Sequence, residues 1–196
     1  MRGRSPGCLA MHLFLVAGVV GLASCHRART PEEGYRRVQA AVNASDPGAL
    51  FDALDQGSRW AWMTVQKSHR EAYDIILSNY PEGREREREL RRFEKGATLG
   101  SARQLFIEEV GRAALDKLAK PLPDVVRLDV AGDGNSAAAV LPSGSAIALR
   151  KGRDGNWGYG ALADDAEDRQ KRALGDVEVV RLNAADYERA ASRGAR

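Results

Sequence analysis

Cysteine is nearly absent from this chain, since only Cys8 and Cys25 among its 196 residues are cysteines. Because neither lies after position 25, the rest of the chain contains no disulfide, no thiolate metal ligand and no cysteine nucleophile. Two other catalytic patterns are also missing: the G-x-S-x-G turn of serine hydrolases, and a glycine loop that cradles phosphate ahead of a helix. These absences exclude several common enzyme classes and leave packing alone to hold the fold together.

An excess of charge of one sign is lacking as well. The chain has 30 Lys+Arg and 27 Asp+Glu; residues 1–24 contain two of the arginines and no acid, so residues 25–196 carry a net charge of +1. The two signs are interleaved, and no basic stripe of the kind that binds nucleic acid is present. Asp133 and Asp154 each precede a glycine, but they lack the alternating oxygen ligands of a calcium loop and suit hairpin turns. We therefore expect no nucleic acid, no metal and no cofactor.

The first 25 residues have the layout of an export signal. Two arginines precede an apolar segment, residues 9–22, and small residues follow it. As a helix, these fourteen residues would span about 21 Å, which is too short for a hydrocarbon core of about 30 Å. The segment ends in Leu22-Ala23-Ser24-Cys25, which resembles the lipobox of bacterial lipoproteins.

The lipoprotein resemblance implies a membrane anchor. In that family a peptidase removes the signal, here residues 1–24, and the cysteine, here Cys25, carries a diacylglyceryl group and often a further acyl chain such as palmitate. Residues 25–30 would then form a short tether to the membrane. His26, a residue other than Asp after the cysteine, favours the periplasmic face of the outer membrane over the inner membrane. An ordinary cleaved secretory signal is the alternative.

The following segment, residues 31–163, is predicted to be a single α+β domain, with helices over about 31–120. Thr30, Pro31 and Glu33 form a capping box with proline at the first helical position. Apolar residues then recur at three- and four-residue steps. The predicted helices run from Thr30, from Asp46 to Gly57, from Ser58 to Tyr80, through the charged run after Arg84 to Gly96, and from Ser101 to Pro121.

The period changes to two after the last of these helices, and antiparallel strands are expected over about 124–162. Val126, Leu128 and Val130 alternate with polar residues, which predicts a half-buried strand. Short turns connect the candidate strands and predict an antiparallel meander. The other three strands are placed at 136–141, 145–151 and 157–161.

The end of the chain, residues 164–196, is predicted to add a helix, a short strand and a polar tail. Acids precede bases over residues 164–172, as the dipole of a helix favours, and Gly175 is placed to end that helix. Asp176–Leu182 has strand character, and Ala184–Ala191 has helical character.

Helices followed by a meander predict an α+β fold in which the helices pack on a curved antiparallel sheet, like a cone. The segments TPEEGYRRVQAAVNASDPGALFDAL and RDGNW resemble the opening helices and a closing turn of the nuclear-transport-factor-2-like (NTF2-like) superfamily. The resemblance covers about residues 31–162. It implies no particular activity, because the superfamily includes isomerases, dehydratases and members with no chemistry.

His69 is the one candidate for catalysis, as a general base, because it shares a helix face with Trp62. The alternative is a buried histidine whose nitrogens bond to the backbone. Trp62, His69, Tyr73 and Trp157 are the candidate pocket residues, although packing in the core is the simpler explanation of the tryptophans. With no catalytic constellation in sight, we expect a non-enzymatic envelope lipoprotein that binds a partner protein or a small apolar ligand. The alternative is a cone-type isomerase or dehydratase that uses His69.

Overall fold

The computed structural model describes residues 27–194, so the predicted signal peptide, the lipidation of Cys25 and the end of the polar tail lie outside the described residues. The expected α+β class is confirmed, since helices pack against an open four-stranded antiparallel sheet. The helices are α1 (Pro31–Asn43), α2 (Pro47–Ala53), α3 (Gln56–Asn79), α4 (Arg84–Thr98), α5 (Ala102–Phe106), α6 (Arg112–Asp116) and α7 (Ala163–Gly194). The strands are β1 (Arg127–Val130), β2 (Ser136–Val140), β3 (Ala146–Lys151) and β4 (Trp157–Tyr159).

The capping signals begin the helices where the sequence predicts. Thr30 Oγ1 accepts a hydrogen bond from the Glu33 amide at 3.2 Å, and a carboxylate oxygen of Glu33 accepts from the Thr30 amide at 3.1 Å. Asp46 accepts from the first two free amides of α2. These caps satisfy donors that have no partner inside a helix.

The boundary between α2 and α3 differs from the prediction. We expected the second helix to end at Gly57, but α2 ends at Ala53 and Gly57 lies in the first turn of α3. The reason is Asp55, whose buried carboxylate accepts from the Ser58 amide at 3.2 Å and therefore starts a new helix one residue later.

The predicted strand Asp176–Leu182 is wrong, because these residues belong to the continuous helix α7. Val177, Val180 and Ala184 are buried against α3 and α4 at helical spacing. Packing of this face outweighs the strand preference of the valines and the cost of Gly175 inside a helix, about 1 kcal/mol. The predicted break at Gly175 is wrong for the same reason.

The sheet is the expected meander, with strands in the order β1-β2-β3-β4. Its inner face, which includes Ala139, Ile147 and Leu149, packs beneath α1, while the opposite face is largely exposed to solvent. The predicted half-buried strand β1 is buried only near its middle. Leu128 packs against the core, but Val126 and Val130 are exposed because β1 is the edge of the sheet.

Two hydrophobic clusters form the core. The first lies between the sheet, α1, α2, α5 and the amino-terminal half of α3; the second joins the carboxy-terminal half of α3 to α4 and α7. α7 contributes to both, through Ala166 and Ala173 in the first cluster and Val177 and Val180 in the second. The segment after residue 164 therefore packs as part of the fold.

The other edge of the sheet, β4, is covered by backbone from two distant segments. The Asp55 amide donates to the Tyr159 carbonyl at 3.1 Å, and the Trp157 amide donates to the Ala28 carbonyl at 2.7 Å. Between these contacts, a Cβ added to Gly158 would lie 2.5 Å from the Leu54 carbonyl oxygen. Only glycine permits so close an approach of two backbones.

We expect Gly158→Ala to lower the free energy of unfolding by about 2 kcal/mol, because a rigid backbone cannot move aside for the added methyl group. Gly132→Ala is the matched control, since a Cβ there has open space around it and a conformation that other residues adopt. Urea unfolding followed by circular dichroism measures both. Equal midpoints for the two variants would contradict the close approach at β4.

Candidate functional site

His69 lies on the buried side of α3, where α4 crosses it. A Cβ added to Gly96 would lie 2.1 Å from His69 Nδ1, so the glycine makes room for the imidazole between the two helices. The ring also meets the edge of Phe93, with 5.7 Å between ring centroids. The imidazole is therefore held on two sides by α4.

The third side of His69 opens on a small polar pocket of about 230 Å³. Arg169 stands at its centre and donates to Glu109 at 2.9 Å and to Asp165 at 2.8 Å. Glu109 belongs to a π-helical turn, Ile107–Gly111, that joins α5 to α6, and such turns are frequent at functional sites. The pocket is lined by Val65, His69, Glu109, Arg169, Arg172, Ala173 and Asp176.

Burial lowers the pKa of His69 below its ordinary value of 6.5, and this effect outweighs the charges of Glu109 and Asp176, which act to raise it. Arg92 lowers it further. The imidazole is thus neutral near pH 7 and able to accept a proton. The two carboxylates beside it, however, form ion pairs with arginines, Glu109 with Arg169 and Asp176 with Arg92.

Only two of the four predicted pocket residues lie near this pocket. Trp62 is 1% exposed and lies beneath Arg169, whose guanidinium carbon is 5.3 Å from the indole centroid. Tyr73 packs against the second cluster instead. Trp157, 5% exposed, lies in the first cluster against Gly34 of α1. The two tryptophans are therefore core residues.

A larger, open groove of about 870 Å³ lies on the opposite side of α3. Its most prominent side chains are Trp60, 50% exposed, and Met63, 56% exposed. These two exposed apolar side chains lie one turn apart on α3, which makes the groove a candidate binding site. The groove is lined by Phe51, Gln56, Arg59, Trp60, Met63, Thr64, Gln66, Lys67, Ser101, Ala102, Arg103 and Asp154.

The charges around the groove are mainly positive. Arg59, Lys67 and Arg103 face it, against one acid, Asp154. The Arg59 guanidinium lies 4.0 Å from the Asp154 carboxylate, and Arg103 pairs with Asp52 at 3.4 Å. Burial acts to raise the pKa of Asp154, but hydrogen bonds from Asn156 and the charge of Arg59 outweigh it and lower that pKa.

The sequence carries a signal for the groove that the apolar pattern of α3 hides. Arg59, Met63 and Lys67 recur at four-residue steps on the side of the helix opposite its buried stripe. A methionine and a tryptophan on this charged face are unusual, and they indicate a surface that binds something. Nothing comparable points to Glu109, because a π-helical turn shifts the register of the helix without a sequence signature.

Comparisons with protein-family models, with curated proteins and with solved structures found no match to this chain. Within residues 27–194, no cluster of three or more potential metal ligands occurs. None of the helices in the same range is long and apolar enough to cross a membrane.

We expect His69 to titrate below pH 6.5. The chain from Arg27 onward contains one histidine, so its ring signals in proton NMR report this group alone. Because the folded state favours the neutral ring, the unfolded chain takes up the proton first, and the protein loses stability as the pH falls from 6.5 to the folded pKa. The variant His69→Gln lacks this loss. A measured pKa at or above 6.5 would contradict the burial of the ring.

Proposed function

We propose that this protein is a lipid-anchored protein of the bacterial envelope, and that its α+β domain binds a ligand in the groove on α3. The observation that carries the binding role is the pair Trp60 and Met63, which are exposed beside three cations in the groove of about 870 Å³. A ligand that combines an apolar part with negative charge fits this lining. A partner protein and a small apolar ligand are the two classes we consider.

The anchor is supported by the lipobox resemblance of Leu22-Ala23-Ser24-Cys25. We place the mature protein on the periplasmic face of the outer membrane because His26 follows the cysteine. Helices that pack on one face of an antiparallel meander support the proposed likeness to the NTF2-like cone. Members of that superfamily without chemistry are compatible with a binding role.

We expect Cys25→Ser to release the protein from membranes, because acyl chains contribute about 0.8 kcal/mol per buried CH₂ and nothing else in the proposal holds the protein firmly. Cys8→Ser is the matched control, since it removes a cysteine that lies ahead of the cleavage site, and it should leave the anchor intact. Membrane fractions washed with carbonate and high salt are compared by immunoblot. A Cys25→Ser protein that stays in the washed membranes would refute lipidation at this residue.

The binding role is tested by native mass spectrometry of the domain purified from its own host. We expect an added mass, which Trp60→Ala should remove because the indole supplies the largest exposed apolar area of the groove. Leu182→Ala, a change of an exposed apolar residue on α7, is the control and should retain the added mass. If none of the three proteins carries an added mass, the result would argue against a small ligand and leave a protein partner.

The second candidate function is acid–base catalysis at the small polar pocket. The observation that favours it is a neutral imidazole beside two carboxylates, Glu109 and Asp176. A cone-type isomerase or dehydratase would use His69 as its base. Both carboxylates are already paired with arginines, Glu109 with Arg169 and Asp176 with Arg92. Catalysis is therefore less well supported than the binding role.

A further inference from the structure

We infer that the ligand of the groove on α3 is the anionic phospholipid surface of the membrane to which the protein is anchored. This inference rests on the proposed lipid anchor. It identifies the groove's ligand, which combines an apolar part with negative charge, as membrane phospholipid. The groove would then lie against the headgroups, with Trp60 and Met63 inserted among them.

The groove begins close to the point where the chain leaves the proposed anchor. The Arg29 guanidinium donates to the Asp154 carbonyl oxygen at 3.2 Å, and the Asp154 amide donates to Gln56 at 3.1 Å. Asp154 and Gln56 both line the groove. The chain therefore enters the described fold at one end of the groove.

The length of the tether sets how far this end can be from the lipid. Three residues separate Cys25 from Arg29, so the four steps along the chain, at 3.3–3.6 Å each, span at most about 14 Å. A lipid attached at Cys25 therefore keeps the Arg29 backbone within about 14 Å of the membrane surface, and the end of the groove lies one arginine side chain further on. The membrane is therefore a surface that this end of the groove can reach.

The cations on this side of α3 are complementary to an anionic membrane. The groove presents Arg59, Lys67 and Arg103, and the exposed Arg70 continues the same side of α3 one turn further. Two acids lie among these cations, Asp154 at 4.0 Å from Arg59 and Asp52 at 3.4 Å from Arg103. Lys67 and Arg70 lie outside these two pairs and supply the excess positive charge. Residues 25–196 as a whole carry only +1, so these cations are locally concentrated. Each Lys or Arg near an anionic membrane contributes about 1 kcal/mol to binding.

The apolar side chains fit the same surface. Tryptophan is the residue that most favours the boundary between headgroups and acyl chains, because its ring is large and apolar and its N–H is polar. Trp60 and Met63 lie on the same face of α3 as Arg59 and Lys67, so burial of apolar area and attraction of the cations would act together at one surface. A soluble acidic peptide would satisfy the cations, but the short tether gives no reason for it to be preferred.

The test uses the unlipidated domain, residues 27–196, so that its result does not depend on the acyl anchor. Every buried core side chain of the described fold lies between Ala28 and Ala184, and the domain therefore retains its whole core. Vesicles of phosphatidylcholine alone are compared with vesicles that also contain phosphatidylglycerol. Trp60 is the exposed tryptophan, whereas Trp62 and Trp157 are buried, so a blue shift of the fluorescence on binding reports Trp60.

We expect a blue shift and binding with the anionic vesicles, reversed by salt, and little binding to the neutral ones. Lys67→Gln combined with Arg70→Gln should weaken the binding about 25-fold, since about 1 kcal/mol per cation corresponds to about fivefold each. Lys171→Gln combined with Arg189→Gln removes the same charge from α7, where both cations are in exposed ion pairs, and should change the affinity by less than about twofold. Trp60→Phe should bind without the blue shift.

Three outcomes would overturn the inference. The domain does not bind anionic vesicles, or it binds neutral and anionic vesicles equally, or both double variants weaken the binding to the same extent. Binding of a soluble acidic polypeptide while the vesicles stay free would assign the groove to a protein segment instead. None of these results bears on lipidation, which the Cys25→Ser fractionation tests separately.

Discussion

Burial of one face of α3 is the constraint on which the rest of the structure depends. This helix of 24 residues is about 36 Å long, and it passes through both hydrophobic clusters. Trp62 and Val65 anchor its first half in the first cluster, where the Trp62 ring packs against Phe106 of α5, and Ala72 and Ile76 anchor its second half against α4 and α7. Once this face is fixed, Arg59, Met63 and Lys67 have no place but the surface. The groove is therefore a consequence of the core.

The local signals in the sequence predicted most of the fold. Capping residues, prolines and turn glycines act within a few residues of themselves, so the starts of α1 and α2 and the turns of the meander could be read directly. The boundary between α2 and α3 was missed because of a local cap, Asp55, but the larger error falls where distant contacts decide. The valines of residues 177–180 have a strand preference that only the burial against α3 and α4 overrides, and no pattern in that segment announces those partners.

The candidate site was less predictable than the fold. His69 was singled out because it shares the apolar face of α3, and the structure places it in a small polar pocket. The side chains that surround it come from α7 and from a π-helical turn, at separations of 40 residues and more along the chain. Trp62 and Trp157 were candidates by residue type, but large aromatic rings are as useful to a core as to a pocket. Trp60, the exposed one, is distinguished only by the helix face on which it lies.

Because α7 is the last helix of the described chain and packs in both clusters, it affects when the core can form during synthesis. Its side chains fill positions in both clusters, the first through Ala166 and Ala173 and the second as far as Ala184. Both clusters are therefore incomplete until almost the whole chain has left the ribosome. A nascent chain that lacks this last helix leaves the inner face of α3 open to water. The last helix to be synthesised is therefore the one that completes both parts of the core.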